Sequence, residues 1–375
     1  MKILIAGDFV PYRRTAVHVE AGDYSCLDEV KPIVQAADYA IVNFESPVVT
    51  REAQPIDKTG PNLRCTEQAM ECVSQAGFNC VTLANNHFRD YGQIGVEDTV
   101  EACRKYGLDY VGGGATREGA SRILYKEIDG KRLAIVNICE SEWSIATEQY
   151  GGSNPLNTVQ NYYAIQEAKN KADYVLVIVH GGIELYQYPT PRMQETYRFF
   201  VDAGADAVVN HHQHCFSGYE VYHNKPIFYG LGNFCFDNNM PTGDIWNSGY
   251  MVEIIIEDKI GYAIFPYTQC EESACVHLIS DNQRQLFDKE INRINETIRE
   301  SDRIIAVFED YTNIIKDSKL DALEPIYNRY LKYLQKKHIF PRFFKGSTEK
   351  DWLCRLNCDS HREVVKSVIG KDLQK

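Results

Sequence analysis

Three imidazoles fall within four positions at His211-His212-Gln213-His214, directly after the small and β-branched run Ala207-Val208-Val209. Imidazole is among the commonest ligands for transition-metal ions, so a strand ending in this way delivers metal ligands into the loop beyond it. In an extended backbone alternate side chains share a face, which pairs His212 with His214 and turns His211 elsewhere. The pair is therefore the candidate, and His211 is not. A single H-x-H pattern also occurs among ordinary core and surface histidines, so the decision falls to the rest of the chain.

The same device recurs. Lys2 to Gly7 reads as a buried strand with Asp8 just past its end, and Asp38 to Asn43 reads as another, followed by Glu45. Period-two geometry puts Asn43 and Glu45 on one side, a glutamate ligand with an asparagine beside it. Phe78 to Ala84 runs into Asn85-Asn86-His87 and then Arg89 and Asp90, while Asp173 to Val179 runs into His180, Gly181, Gly182 and Glu184. Asparagine binds a metal weakly, through its amide oxygen, so Asn86 needs stronger ligands beside it. His87 can face the substrate and serve as a general acid. Each cluster alone has an ordinary explanation in loop capping or turn chemistry. Together they all follow strands, and functional groups of α/β proteins gather at the carboxyl ends of strands. Oxygen and imidazole donors without thiolate suit one or two divalent ions, Mn, Fe or Zn; a pair about 4 Å apart would activate water and clamp a phosphate-like group. Lys58 and Arg64, at or just beyond the end of the long loop from Val48 to Leu63, join Arg89 as candidate contacts to an anionic group; Arg13 and Arg14, in a polar loop after Asp8, are within reach of one too.

The elements that must position these groups alternate. Helical patterns cover Leu27 to Ala37, Thr66 to Ala76, Gly95 to Tyr106, Thr158 to Lys171 with Thr158 as its cap, and Gln194 to Ala203. Leu108 to Gly114 reads as a strand, and the Asp129-Gly130 turn joins Ile123 to Ile128 with Arg132 to Ile138 as an antiparallel pair. Tyr219 to His223, Pro226 to Leu231 and Tyr250 to Ile256 read as strands of a second sheet, with Lys259 to Phe265 closing the β-rich part. No glycine pattern of a phosphate-binding or dinucleotide loop is present. From Ser280 the character changes to amphipathic helix through Phe287, Ile291, Ile294, Ile298, Ile305 and Phe308, then to a second helix over Leu323 to Lys337 that Pro341 ends, and a third from Asp351. Domains at 1–270 and 280–375 follow. Tyr327, Tyr330, Tyr333, Lys336, Lys337, Phe340, Arg342, Phe343, Phe344 and Lys345 make this C-terminal helical extension sticky and basic, a packing arm or a surface for a protein partner.

A formal net charge of -12, spread along all 375 residues, argues against a nucleic-acid partner and leaves any anionic small-molecule or polymer substrate to be met by metal or a local basic pocket. Asp8 interrupts the first apolar run too early for a signal peptide, and no window long enough for a membrane span follows, so the expected location is cytoplasmic. Cysteines such as Cys80, Cys139 and Cys235 sit in apolar segments, as buried reduced thiols do. Cys354, Cys358 and His361 have loosely zinc-like spacing without an evident fourth ligand.

Asp8 after Gly7, Asn85-Asn86-His87 with Asp90 and Gly92, His180 with Gly182 and Glu184, His212-x-His214 with Glu220 and Tyr222, and Gly232-Asn233-Phe234 together resemble the CapA family, named for poly-γ-glutamate capsule biosynthesis. The resemblance covers about residues 2 to 270 and resides in the ordered set of motifs. It implies a branch of the calcineurin-like metallophosphoesterase superfamily, whose fold is an α/β sandwich of two central mixed sheets flanked by helices. It further implies Asp8, Glu45, Asn86, His180, His212 and His214 as ligands, with Glu45 where the superfamily has a bridging aspartate, and His87 as the residue that protonates the leaving group. Asn43, Asn85, Arg89, Asp90, Glu184, Lys58, Arg64 and Asn233 then contact substrate or brace ligands. The expected activity is metal-dependent hydrolysis of a phosphoester or of a γ-glutamyl or polymer-linked bond; the alternative is a non-catalytic accessory that binds an anionic polymer or a synthase partner. Three departures stand out: Val10 replaces the histidine that the superfamily carries two residues after its first aspartate, and Asn210 and Gly181 stand where relatives usually have glycine and tryptophan. The first departure leaves one metal position short of a ligand.

Overall fold

The apolar runs pair into two mixed sheets. The structure, a computed structural model, describes residues 1–323, 328–337, 339, 347–358, 360–362 and 364–365. From the amino terminus come β1 (Lys2–Val10), α1 (Arg14–Glu20), α2 (Lys31–Ala36), β2 (Tyr39–Phe44), α3 (Gln68–Ala76), β3 (Cys80–Thr82) and α4 (Gly92–Lys105). Then follow β4 (Asp109–Val111), β5 (Gly113–Gly114), α5 (Arg117–Ala120), β6 (Leu124–Ile128), β7 (Lys131–Cys139), β8 (Gly152–Ser153) and α6 (Thr158–Lys171). β9 (Tyr174–His180), α7 (Pro191–Asp202), β10 (Ala207–His211), β11 (Tyr219–Tyr222), β12 (Lys225–Phe228) and β13 (Asn233–Phe236) lead to β14 (Ser248–Ile256), β15 (Ile260–Gln269) and β16 (Val276–Leu278). α8 (Asp281–Ile298), α9 (Ser301–Leu323), α10 (Arg329–Lys336) and α11 (Ser347–Asn357) end the described chain.

The first sheet runs β16-β15-β14-β1-β2-β3-β4, with β13 also pairing β1; the second runs β11-β12-β10-β9-β7-β6. β1, β2, β3 and β4 are mutually parallel, as are β7, β9, β10 and β12, so each sheet presents a row of carboxyl ends. The fold is thus α/β, with two mixed sheets and helices packed on them. Ile3, Leu4, Ile5, Val177, Ile178, Val208 and Val209 are buried, each contributing about 1.5–3 kcal/mol by leaving water. Helix starts are fixed by side-chain caps: Asn157 accepts the Gln160 N–H at the start of α6, one residue before the expected cap Thr158, and Thr190 accepts the Met193 N–H ahead of Pro191 in α7.

Four expectations are corrected. β14 lies in the first sheet, antiparallel to β1 with Lys2 opposite Ile255, because an apolar strand reads the same whichever sheet it joins. The polar loop expected around Arg14 is helix α1, and Arg14 is occupied by Asp237 instead of facing an open site. Asp8 lies inside β1, at a register shift against β2 and β13, where a bulge re-aims the side chain. Gly7 makes this possible, since a Cβ there would collide with the Gly232 carbonyl. Finally, the chain divides into compact units at Ile305/Ala306, which places α8 with the α/β domain. The α8 stripe Phe287, Ile291, Ile294 and Ile298 is buried, Phe287 lying 5.0 Å from the Phe216 ring, and Asn295 accepts the Tyr219 N–H at 2.7 Å.

The second unit, Ala306–Lys375, holds the rest of α9 with α10 and α11. Tyr330 and Tyr333 are exposed there, and Cys354 Sγ stands 3.8 Å from His361 Nδ1. Tyr327, Phe340, Pro341, Arg342, Phe343, Phe344 and Lys345 of the aromatic and basic stretch lie outside the described residues. Among the described residues no helix is long and apolar enough to cross a membrane.

Candidate metal centre

The carboxyl ends of β1, β2, β9 and β10 and the loop after β3 meet at one place. Asn137 helps to fix it: its side chain accepts the Ala84 N–H at 2.8 Å and donates to the Ile178 carbonyl at 3.1 Å, tying the post-β3 loop to the second sheet. His180 Nε2 then stands 3.0 Å from Asn86 Oδ1, 3.1 Å from His212 Nδ1 and 3.3 Å from Glu45 Oε1. Ligand atoms at 2.0–2.1 Å around a tetrahedral ion stand about 3.3 Å apart, so His180 Nε2 stands from each of the other three at the spacing of a coordination shell. Beside them, ligand atoms of Asp8, Glu45 and His214 lie within 4.8 Å of one another. Glu45 belongs to both groups.

The supporting contacts set orientation. Asn43 donates to Asp8 Oδ1 at 2.7 Å and accepts from Thr82 at 3.1 Å. The His212 backbone N–H reaches Asp8 Oδ2 at 3.3 Å. Asn233 Oδ1 lies 2.9 Å from His214 Nδ1 and accepts that N–H, which fixes the ring with Nε2 3.9 Å from Glu45 Oε1. Asn85 donates to the Phe44 carbonyl at 2.9 Å and accepts the His87 N–H at 3.1 Å, so it braces the loop.

Both oxygens of Glu45 are buried without a hydrogen-bond partner. Burial, then the Asp8 charge, pushes its carboxyl well above the usual carboxylate range. Burial would raise Asp8 as well, but the adjoining imidazoles of His211 and His214 hold it well below that range. Burial and then His212 keep His180 well below the ordinary imidazole value, and burial and then His214 take His212 down to about 3, so both rings keep a free lone pair. Burial presses on His214 too, yet the charges of Glu45 and Asp8 lift it to about 9.

His87 lies at the edge of this cluster. Its Nδ1 is 2.6 Å from Asp90 Oδ2, which also accepts the Leu63 N–H at 2.7 Å. Lys58, only 2% exposed, ion-pairs with Asp90 and lies 3.2 Å from the same Nδ1. The ammonium expected to meet an anion is therefore already engaged. Arg64 stacks over Tyr91 at 5.6 Å and Arg89 over Tyr150 at 3.7 Å. Glu184 is exposed, with a carboxylate oxygen within 4.8 Å of ring nitrogens of His212 and His214.

Two residues of the site escaped the sequence reading. His211 does not turn away: its Nδ1 stands 3.3 Å from Asp8 Oδ1. Alternation ends with β10, because His212 and His214 take φ values of 91° and 54°, and all three imidazoles come to one locus. Glu142 Oε1 is 3.6 Å from His212 Nε2, and burial raises its carboxyl above the ordinary value. The available signal was the polar run Glu140-Ser141-Glu142 directly after strand β7, the same pattern as at the other ligand sites.

The sequence has known relatives. A family model described as bacterial capsule synthesis protein PGA_cap matches residues 2–238. The capsule biosynthesis protein CapA of Bacillus anthracis is 37% identical over 56% of this chain and 53% of that protein, and the PGA biosynthesis protein CapA of Bacillus subtilis is 34% identical over 58% of each. A probable polyglutamine synthesis accessory protein of Mycobacterium tuberculosis is 26% identical over 53% of this chain and 55% of that protein. The chain thus spans about half the length of the curated relatives it matches. Among solved structures, a hypothetical protein from Thermus thermophilus aligns with a TM-score of 0.46 at 14% identity, covering 72% of this chain and 99% of that one. A 5'-nucleotidase from Candida albicans aligns with a TM-score of 0.43 at 10% identity, covering 84% and 58%. With the family model spanning most of the α/β domain, the chain belongs to the bacterial capsule synthesis protein PGA_cap family, the family of CapA.

Proposed function

We propose that the chain is a metal-dependent hydrolase acting on a phosphoester or on a γ-glutamyl or polymer-linked substrate, in capsule or poly-γ-glutamate metabolism. Glu45 carries the reading: a carboxylate 0% exposed, with neither oxygen hydrogen-bonded, in the midst of three imidazoles and Asp8. Leaving a carboxylate so placed costs several kcal/mol, which a divalent cation offsets. Glu45, Asn86, His180 and His212 would hold one ion, and Asp8, Glu45 and His214 a second. When bound, such ions supply a polarised water and neutralise charge on the reacting group.

The chain's own side chains do the rest. Burial, opposed by Asp90, keeps His87 below the ordinary imidazole value, so the resting ring is neutral with its Nδ1 hydrogen on Asp90. As an anionic group comes alongside, Nε2 takes up a proton, the Asp90 carboxylate stabilises the imidazolium, and the proton passes to the departing oxygen or nitrogen. Lys58 pairs with the Asp90 carboxylate and holds it in place. Asn43, Asn85 and Asn233 keep the ligands in register.

The name of the mycobacterial relative favours a second reading, an accessory protein that holds an anionic polymer or a synthase partner without turnover. Metal analysis of purified protein, with hydrolysis of a generic phosphodiester and a γ-glutamyl peptide, separates the two. Bound metal together with turnover that falls roughly 100-fold in His87→Ala and in His212→Ala supports the hydrolase. Metal without turnover on either substrate supports the accessory, and a metal-free wild type removes the centre.

A further inference from the structure

We infer that Arg89, seated on Tyr150, binds an oxyanion of the substrate, a carboxylate or a phosphate, beside the loop that carries His87. This deepens the hydrolase reading above and rests on it. A net charge of -12 leaves an anionic substrate to be met by a local cation. Of the cations that border the ligand-bearing segments, Arg14 forks onto Asp237 and Lys58 pairs with Asp90. Arg13 and Arg64 are exposed to water, their guanidinium carbons 5.4 Å from the Tyr12 ring centre and 5.6 Å from that of Tyr91. Arg89 differs from all four. Its guanidinium carbon stands over the Tyr150 ring, 3.7 Å from the ring centre, and its Nε is sealed from water without a hydrogen-bond partner. Among the described residues no carboxylate pairs with it, and Tyr150 is the ionisable group whose charge it feels. A guanidinium stays charged at every pH the fold meets, so this half-buried cation has lost water and gained no anion.

The contacts that fix Asn86 also fix Arg89. The Arg89 N–H donates to Ser144 Oγ at 3.0 Å, and that hydroxyl donates to the Asn86 carbonyl at 2.6 Å. The Asp90 N–H donates to the His87 carbonyl at 2.9 Å and the Gly92 N–H to the Arg89 carbonyl at 2.8 Å, so the segment turns tightly into α4. Arg89 is therefore tied through one hydroxyl to a proposed ligand and through two residues of chain to the proposed acid. Tyr150 is anchored from its own side. Its carbonyl accepts the Thr147 N–H at 3.0 Å, and the next residue, Gly151, donates its N–H to Gln93 Oε1 at 2.9 Å. Gly151 permits this close seat, since a Cβ there would stand 2.4 Å from the Gly114 carbonyl oxygen. The segment that ends at Tyr150 also carries Glu142, 3.6 Å from His212 Nε2.

Stacking occupies the face of the guanidinium and leaves its in-plane N–H groups to be met edge-on, the geometry of a fork onto carboxylate or phosphate oxygens. Calorimetric titration of the full chain with two probes, inorganic phosphate and γ-linked triglutamate, tests this and tells the two oxyanions apart. Wild type should bind at least one probe, and Arg89→Met should weaken that binding by roughly tenfold or more. Arg89→Lys keeps the charge without the fork and should recover only part of the affinity. Tyr150→Leu should cost about threefold by removing the ring beneath the cation. Elemental analysis should show the same metal content in all four proteins, and circular dichroism the same fold. In turnover, Arg89→Met should raise KM more than it lowers kcat. Wild type that binds neither probe, Arg89→Met that binds as wild type does, or full recovery by neutral substitution at Arg89 each overturn the inference. Turnover that falls in His87→Ala yet ignores Arg89→Met removes this subsite and keeps the hydrolase. A metal-free wild type whose probe binding still depends on Arg89 removes the hydrolase and keeps the oxyanion site.

Discussion

Glu45 and Asp237 are both carboxylates shut away from water, and they are opposite cases. Asp237, 1% exposed, receives the Arg14 guanidinium at 2.8 and 3.1 Å, the Arg14 backbone N–H at 3.1 Å and the Asn239 N–H at 3.1 Å. Burial would raise its carboxyl, but Arg14 and these donors hold it below the ordinary value. Asp206 is similar, with Lys169 at 2.9 Å, Lys225 and the Val175 N–H. Glu45 has no such donors, and its carboxyl is displaced in the opposite direction. A charge that serves the fold arrives with donors from the chain itself. One left bare at the meeting point of several strands stands where a cation ligand would.

Substitutions can break this contrast. Glu45→Gln in the metal-loaded protein should lower hydrolysis by at least about 100-fold and reduce bound metal, read by turnover and elemental analysis. His87→Ala should cost about 100-fold in turnover with metal content unchanged; Lys58→Met, which leaves the ring but unpairs Asp90, should cost about tenfold. Asp237→Asn should lower stability in urea by about 2 kcal/mol whether or not metal is present, since it weakens charge-assisted bonds that the chain itself supplies. Glu45→Gln in chelator-treated protein should instead raise stability by about 1 kcal/mol, the reverse sign, because it removes a buried carboxyl that folding must either desolvate or protonate.

The smallest effect sharpens the same point through pH. Because the folded carboxyl of Asp237 is depressed, its contribution is fully present above the ordinary carboxylate value and is lost as pH falls through the folded value. The stability difference between wild type and Asp237→Asn should therefore be constant at neutral pH and shrink below about pH 4, followed by urea unfolding.

Local pattern carried much of this into view. α6 spans Thr158–Lys171 as its periodicity indicates, and the apolar runs ahead of Glu45, Asn86, His180 and His212 form strands or enter the loops that bring these residues together. What stayed hidden depends on distant partners. The bulge at Asp8 arises from pairing with β2 and β13. The side of the centre on which His211 falls depends on left-handed backbone at two non-glycine residues, which no alternation rule anticipates. The engagement of Lys58 by Asp90 joins a long loop to another strand's end, and β14 chooses its sheet through β1. In each case the deciding contact lies many residues away.

The ligand atoms at the bottom of the cluster have a kinetic consequence. Asp8, Glu45, His180, His212 and His214 are nearly sealed, and they come from segments spread over most of the α/β domain, so no subset of the unfolded chain resembles the finished receptor. Glu142 and Glu184 are the exposed carboxylates beside the cluster, so on the proposed metal-centre reading an ion reaching the folded chain would meet them first. Exchange of an ion held there would be slow beside chain folding, and late-transition-metal affinities follow availability as much as fit. Any element recovered in a preparation would accordingly be a record of the medium in which the polypeptide matured.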